Sequence, residues 1–340
     1  MLKALCEAFG VSGYESEVRK LIETTVKPYC DKVFTDNIGN LIAIKRAKNL
    51  LNNKSVMLCA HMDEVGFIVT KITDDGYLKF DCVGGIDAAI LPSARVKINN
   101  INGIIGIKAV HLTSKSEREK QLKISDLYID IGAKTAEEAK QHISIGDYVG
   151  FDSDFVEFGK QIKAKALDDR VGCAILIEML KSDWNFDLFC AFTVQEETGL
   201  RGAFVAANVV KSYVSDVDKL AALVVETTSC NDLPGVSDNF RVTKMDGGPA
   251  ISILNNSILA NPDLVEILKT TANENKIPFQ IKASTKGGND SGAIGLRQIP
   301  VAAISVPCRY LHSPVSVISK SDFKNTQNLV FHFLKKMEEI

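Results

Sequence analysis

The 340 residues carry 40 Lys and Arg against 42 Asp and Glu, a formal charge of −2, so no global field selects nucleic acid or an anionic membrane as partner. With 46% hydrophobic and 24% charged residues the composition is that of an ordinary folded protein, long enough for two domains or for one with an insertion. No run approaches the roughly 18 apolar residues that span a bilayer, and the opening MLKALCEAFGVSG is interrupted by Glu7, which leaves no signal-peptide core.

Leu2, Leu5 and Phe9 can share one helical face, and after the Gly10–Gly13 turn Val18, Leu21, Ile22 and Val26 repeat at helical spacing. Asn40–Lys45 and Val56–Ala60 read as strands, the second wholly apolar and therefore buried on both faces. From about 68 to 158 the pattern changes to short alternating runs: Phe67–Ile72, Tyr77–Cys82, Ala94–Ile98, Gly103–Ile107, Leu127–Ile131 and Asp147–Phe151. Asp-Gly, Gly-Gly and Asn-Gly turns punctuate them, and only Thr135–His142 looks helical. This stretch predicts a small β-barrel-like domain inserted into the rest of the chain. Beyond 160, helix and strand alternate: Gly172–Leu180 helical, Leu188–Val194 a buried strand, Gly202–Val210 helical, Leu220–Val225 a strand. A helix starting at Pro262 runs towards Asn275, Ile299–Val306 is a strand, and Phe323–Met337 is an amphipathic terminal helix. Such alternation means a parallel or mixed sheet with helices on both faces. The eight cysteines show no CxxC spacing, and Cys59, Cys173 and Cys190 sit in apolar runs, so reduced thiols and a cytoplasmic location are expected.

Five residues, His61, Asp168, Glu197, Glu226 and His312, stand where apolar runs give way to polar loops. Open α/β sheets build their sites at the carboxyl ends of strands, and three carboxylates with two imidazoles suit a pair of divalent cations. His61 and Asp63 are two apart, so on extended backbone they point the same way, and Asp63 can accept the far ring N–H of His61. In Asp168-Asp169-Arg170 the first acid is chosen as the carboxylate bridging two ions, leaving Asp169 for a helix cap or for Arg170. Glu196 and Glu197 close a buried strand, a costly place for two acids without a cation. The reading splits them into an unligated general base, Glu196, and a ligand, Glu197. Glu226 repeats the pattern of an acid after an apolar strand, and His312 follows the last strand. His332 reads as structural, and His111 and His142 lie away from any strand-end acid.

Taken together, Ala60-His61-Met62-Asp63-Glu64-Val65-Gly66, Gly84–Ala88 with Leu91-Pro92, Asp126–Gly132, Ala166–Gly172, Gln195–Gly202, Gly287–Asp290 and Arg309–Pro314 resemble the motifs of the tetrahedral (TET) aminopeptidases, the metallopeptidase family that includes glutamyl aminopeptidase and proteins once labelled cellulase M. The resemblance implies a zinc-peptidase-like α/β fold: a central mixed β-sheet flanked by helices, with an inserted β-barrel-like (PDZ-like) dimerisation domain. The catalytic domain would comprise 1–67 and 159–340, and the inserted domain 68–158. It also implies one ion on His61, Asp168 and Glu226 and a second on Asp168, Glu197 and His312, with Glu196 as base and Asp63 orienting His61. The metal would be zinc, with cobalt or manganese as alternatives. The expected reaction removes N-terminal residues from peptides through a metal-bridging hydroxide, in dimers that assemble to a tetrahedral dodecamer and involve neither nucleic acid nor membrane. In many relatives Asp stands where this chain has Glu226; Asp232, otherwise a turn residue, is the weaker substitute. The loop around Gly287, Gly288, Asn289 and Ser291 is expected beside substrate and not beside metal. Two other hydrolase readings compete. An N-acyl amino acid deacylase shares the amide chemistry, whereas an endoglucanase needs two carboxyls on opposite sides of a glycosidic bond, which adjacent Glu196 and Glu197 suit badly. A self-assembling shell without turnover would have no use for an unligated Glu196.

Overall fold

The computed structural model describes residues 1–48, 54–237, 242–282 and 287–339; in 117–118 only the backbone is described. Its centre is four parallel strands, Asp187–Thr193, Ser55–His61, Leu220–Ser229 and Val301–Arg309, side by side in that order. Every residue of Ser55–His61 and of Asp187–Thr193 is buried, as the unbroken apolar runs require of strands covered on both faces. Antiparallel strands extend this core. Leu41–Lys45 and Lys32–Thr35 lie beyond Asp187–Thr193, and Ser316–Ser319, Gln161–Ala164 and Val156–Phe158 beyond Val301–Arg309. Ala250–Ser252 and Gln280–Ile281 branch from Val301–Arg309, completing an 11-stranded mixed sheet. The short edge strands went unread in the sequence: Lys32–Thr35 is half exposed and offers no apolar run.

Helices cover both faces. Leu2–Glu7, Ser16–Val26, Leu167–Leu180, Pro262–Glu274 and Lys320–Glu339 pack into one apolar cluster with Leu58, Cys190, Leu223 and Ile304 of the sheet. Arg201–Tyr213 and Asp290–Gly295 pack into the other, with Met57, Cys59, Phe189 and Ala303. Pro262 opens its helix as expected, and the Asn261 side chain caps it by accepting from Leu264 N at 3.0 Å. Glycine is required where Leu167–Leu180 crosses the sheet, because a Cβ on Gly172 would stand 2.4 Å from the carbonyl of Val225.

The alternating stretch forms a closed six-stranded antiparallel barrel: Gly66–Ile72, Leu78–Val83, Leu127–Asp130, Ile101–Ile107, Arg95–Ile98 and Tyr148–Phe151 in that order. Its apolar centre includes Phe67, Phe80, Val96, Ile105, Ile129 and Phe151. The helix expected over Thr135–His142 is the shorter Ala136–Lys140, capped by Thr135, which accepts from Glu138 N at 3.2 Å. All eight cysteines are free, and no helix among the described residues is long and apolar enough to cross a membrane.

Candidate metal centre and active site

The four parallel strands deliver their carboxyl ends to one side of the sheet. His61 is the last residue of its strand, Glu196 and Glu197 form the turn after Asp187–Thr193, and His312 follows Val301–Arg309. Glu226 departs from the expected place. It lies inside Leu220–Ser229, opposite Ser305 in register, because that strand runs on through Thr227 and Thr228 after its apolar residues end. Asp168 comes from the non-helical first turn of Leu167–Leu180, where the Asp168–Asp169 peptide bond is cis. His61, Asp168, Glu196, Glu197, Glu226 and His312 line one cavity of about 610 Å³; Asp63 is fully buried.

Asp168 stands between the two imidazoles. His61 Nε2 is 3.4 Å from its Oδ1, and His312 Nε2 is 3.5 Å from its Oδ2. His312 Nε2 also lies 3.3 Å from Glu197 Oε2, and one donor atom each from His61, Asp168 and Glu197 fall within 4.8 Å of one another. Adjacent donors around a tetrahedral zinc, each about 2.0–2.1 Å from it, stand roughly 3.3 Å apart, so the donor set fits a cation. The other ring nitrogens are occupied: Nδ1 of His61 lies 3.1 Å from the Asp63 carbonyl, and Nδ1 of His312 lies 2.9 Å from the Gly85 carbonyl. Those contacts favour the tautomer that leaves Nε2 as a lone pair. The Asp63 carboxylate is 3.5 Å from His61 Nδ1 and accepts the backbone N–H groups of Glu196 and Glu197, each at 3.1 Å.

The charge balance of this pocket is strained without a cation. Burial pushes the carboxyls of Glu197 and Glu226 up to about 7, Asp168 adding to both. Burial, with Asp290 and Glu197 nearby, holds Glu196 well above the usual carboxylate range. Burial opposes charge on His312, but Asp168 and Glu197 outweigh it and raise the imidazole to about 9. On His61 the opposing burial is likewise overcome by Glu196, Asp168 and Asp63. Protons thus occupy positions that a divalent ion would neutralise. The Glu196 carboxylate accepts no hydrogen bond among the described residues, while its backbone N–H donates to Asp63.

Neighbouring candidates have other partners. Asp169 caps its helix by accepting from Gly172 N at 3.0 Å and takes the His61 N–H at 3.3 Å. Arg170, wholly buried, turns instead to Glu64 at 3.1 Å and to the Met62 carbonyl. Asp232 forms a two-pronged pair with Arg309 at 2.7 and 2.8 Å. His332 packs edge-on against Phe331, and His111 and His142 are exposed. Sequence reasoning names Asn289 without its contact and misses Ser305: both donate to Glu226 Oε1, at 2.5 and 3.2 Å. Gly287 and Gly288 do line the cavity, but their neighbour Asn289 bears on a candidate ligand, contrary to the expectation for that loop. Its only sequence signal is the Gly-Gly-Asn turn itself.

A mixed sheet carrying two imidazoles and a carboxylate cluster at its parallel strand ends defines a metal-dependent hydrolase. Residues 39–329 match the family model described as M42 glutamyl aminopeptidase, and the chain belongs to that family. Membership makes it a peptide-bond hydrolase of a divalent-metal family and does not favour the deacylase or endoglucanase readings. A provisionally named aminopeptidase of Acetivibrio thermocellus is 40% identical over 334 residues, covering 97% of this chain and 96% of its own. The crystal structure of a TET aminopeptidase from the marine sediment Thaumarchaeota archaeon SCGC AB-539-E09 superposes with a TM-score of 0.92 at 33% identity, covering 99% and 97% of the two chains. The TET1 peptidase of Pyrococcus horikoshii, whose structure is described as able to assemble into a tetrahedron or a large octahedral shell, gives 0.84 at 33% identity, covering 97% of each chain.

Proposed function

We propose that this chain is a dinuclear metallo-aminopeptidase in which Asp168 bridges two ions. The observation that carries this reading is the Asp168 carboxylate, which offers separate oxygens to Nε2 of His61 and of His312. His61, Asp168 and Glu226 would hold one ion, and Asp168, Glu197 and His312 the other. Both hydrogen bonds to Glu226 meet Oε1, so Oε2 is the oxygen left for a ligand role. Zinc is the first choice of metal, cobalt or manganese the alternatives. When bound, the ions supply Lewis-acid polarisation of the scissile carbonyl and acidify water.

Glu196, whose carboxylate accepts no hydrogen bond among the described residues, takes a proton from the attacking water and delivers it to the departing amine. Its high proton affinity suits it to hold that proton between the two events. Asp63 orients His61 and anchors the Glu196–Glu197 turn, so it positions both a ligand and the base. The domain boundaries expected at 67/68 and 158/159 move with the strands, since Gly66–Ile72 belongs to the barrel and Val156–Phe158 to the large sheet. The catalytic domain would comprise 1–65 and 152–340, with the barrel between them as the inserted dimerisation domain. Exposed Ile104, Val110, Leu112 and Ile145 on the barrel side support an assembly of dimers into a tetrahedral dodecamer. The free cysteines support a reducing, cytoplasmic location. A panel of aminoacyl-anilides run on metal-free protein refilled with each metal tests the activity. Glu196→Gln should lower kcat about 10²–10⁴-fold with metal content unchanged; full activity in that variant would reject its role as base.

A further inference from the structure

The first fifteen residues reach further into the site than their position in the chain suggests. Val11 pairs with Glu64 as an isolated bridge, with Ser12 N donating to the Glu64 carbonyl at 3.1 Å and Glu64 N to the Gly10 carbonyl at 2.9 Å. Lys165 and Arg170, both buried, hold the same segment through the Ala8 carbonyl at 3.0 and 3.3 Å and converge on Glu64. So braced, the segment places the buried Ser12 hydroxyl as a donor to Asp63 Oδ2, the oxygen that also accepts the Glu197 N–H. Glu15, also buried, accepts the Gly13 N–H at 2.6 Å and the Gln195 N–H at 3.3 Å, so it touches the same turn one residue earlier. Gln195 itself sits at φ 56°, a left-handed conformation that a non-glycine residue keeps only when its surroundings impose it.

We infer that Ser12 is a positioning residue for the reaction: through Asp63, and seconded by Glu15, it holds the Gln195–Glu197 turn that presents the base. This rests on the proposed role of Glu196. The physical reason is the donor count at Asp63. A buried carboxylate is held by the donors that satisfy it, and the Asp63 carboxylate has three hydrogen-bond donors, two of them the amides of the turn it must fix. Removing the Ser12 hydroxyl strips the one donor among the described residues that comes from outside the catalytic loops. The carboxylate then shifts towards the remaining donors, and the turn shifts with it.

Two single substitutions separate positioning from mere packing. Ser12→Ala should lower kcat about tenfold, the low end of the range for losing a partner of a ligand because Ser12 stands one step further back behind Asp63, with KM within about twofold. In the metal-free protein, hydrogen exchange of the amides at 196 and 197 should quicken, because their acceptor is no longer fixed. Leu5→Ala, which loosens the packing of the same segment without touching Asp63, should lower Tm while leaving kcat within about twofold and that exchange unchanged. Unchanged kcat and exchange in Ser12→Ala would overturn the inference, as would equal losses in both variants. Glu196→Gln run alongside keeps the two ideas apart. Activity there would defeat the assignment of the base, whereas an inactive Glu196→Gln with a normal Ser12→Ala would defeat only the role of Ser12.

Discussion

The barrel and the sheet it interrupts solve the burial problem in opposite ways. Between residues 65 and 152 no polar or charged side chain is buried among the described residues, and the barrel centre is Phe, Val, Ile and Leu with Ala139. At the carboxyl end of the large sheet, by contrast, His61, Asp63, Asp169, Glu226 and Asp290 are all buried close together. Barrel closure removes the sheet's free edges and leaves alternate side chains to fill the interior, so nothing charged is needed inside. The sheet end carries a charge burden that folding alone does not relieve, which marks it as the place where cations belong. One region buries only apolar side chains, the other gathers its acids and imidazoles. The two meet at Gly85, which follows the barrel strand Leu78–Val83 and whose carbonyl fixes the ring of His312.

That contrast can be broken most severely at Asp168. Asp168→Ala removes the shared carboxylate, and the metal content measured after dialysis should fall from two ions towards none, with peptidase activity at background. Retention of both ions would show that the bridging assignment is wrong. In the barrel, Phe67→Ala should cost about 3–5 kcal/mol of stability by opening a cavity between Phe80 and Phe151. Thermal unfolding would report it, while the folded protein should bind metal as before. A loss of metal at temperatures where the variant is still folded would mean that the regions are not separable.

A subtler separation lies in pH. Glu197 and Glu226 are raised from about 4.5 to about 7, principally by burial. In the metal-free fold each therefore contributes stability that is full below pH 4.5 and is lost as pH rises through 7. An ion must displace the same protons, so metal affinity should climb over that window and go on climbing towards 9, where the His312 imidazole also gives up its proton. The gain in Tm on adding cobalt should accordingly be larger at pH 8 than at pH 6; an equal or smaller gain would contradict the placement of these two carboxyls. The smallest expected effect is His111→Ala, an exposed residue on the barrel side, which should change metal content and kcat by less than about twofold.

How much of this was readable in the chain follows from the same contrast. The four parallel strands announce themselves as unbroken apolar runs, and the barrel strands as alternating ones, because burial on two faces and on one face write different patterns. Strand-end acids and imidazoles stand out against such runs, which is what makes Glu196, Glu197 and His61 candidates. Glu226 was placed one step too late, since a strand can continue past its apolar part where the next residues face a polar cavity. Lys32–Thr35, a half-exposed edge strand, and Ser316–Ser319, an interior strand of only four residues, are too short to show a pattern. Ser12 and Asn289 could not be found by spacing at all. Each acts across a long sequence separation on one carboxylate, and only the folded chain brings Ser12 to Asp63 or Asn289 to Glu226.

The central claim is that His61, Asp168, Glu197, Glu226 and His312 surround a pair of cations. Anomalous diffraction from crystals refilled with zinc, recorded on both sides of the zinc edge, addresses it most directly. Two peaks about 3.5–4 Å apart on either side of Asp168 are predicted; a single peak elsewhere, or none among these side chains, would contradict it.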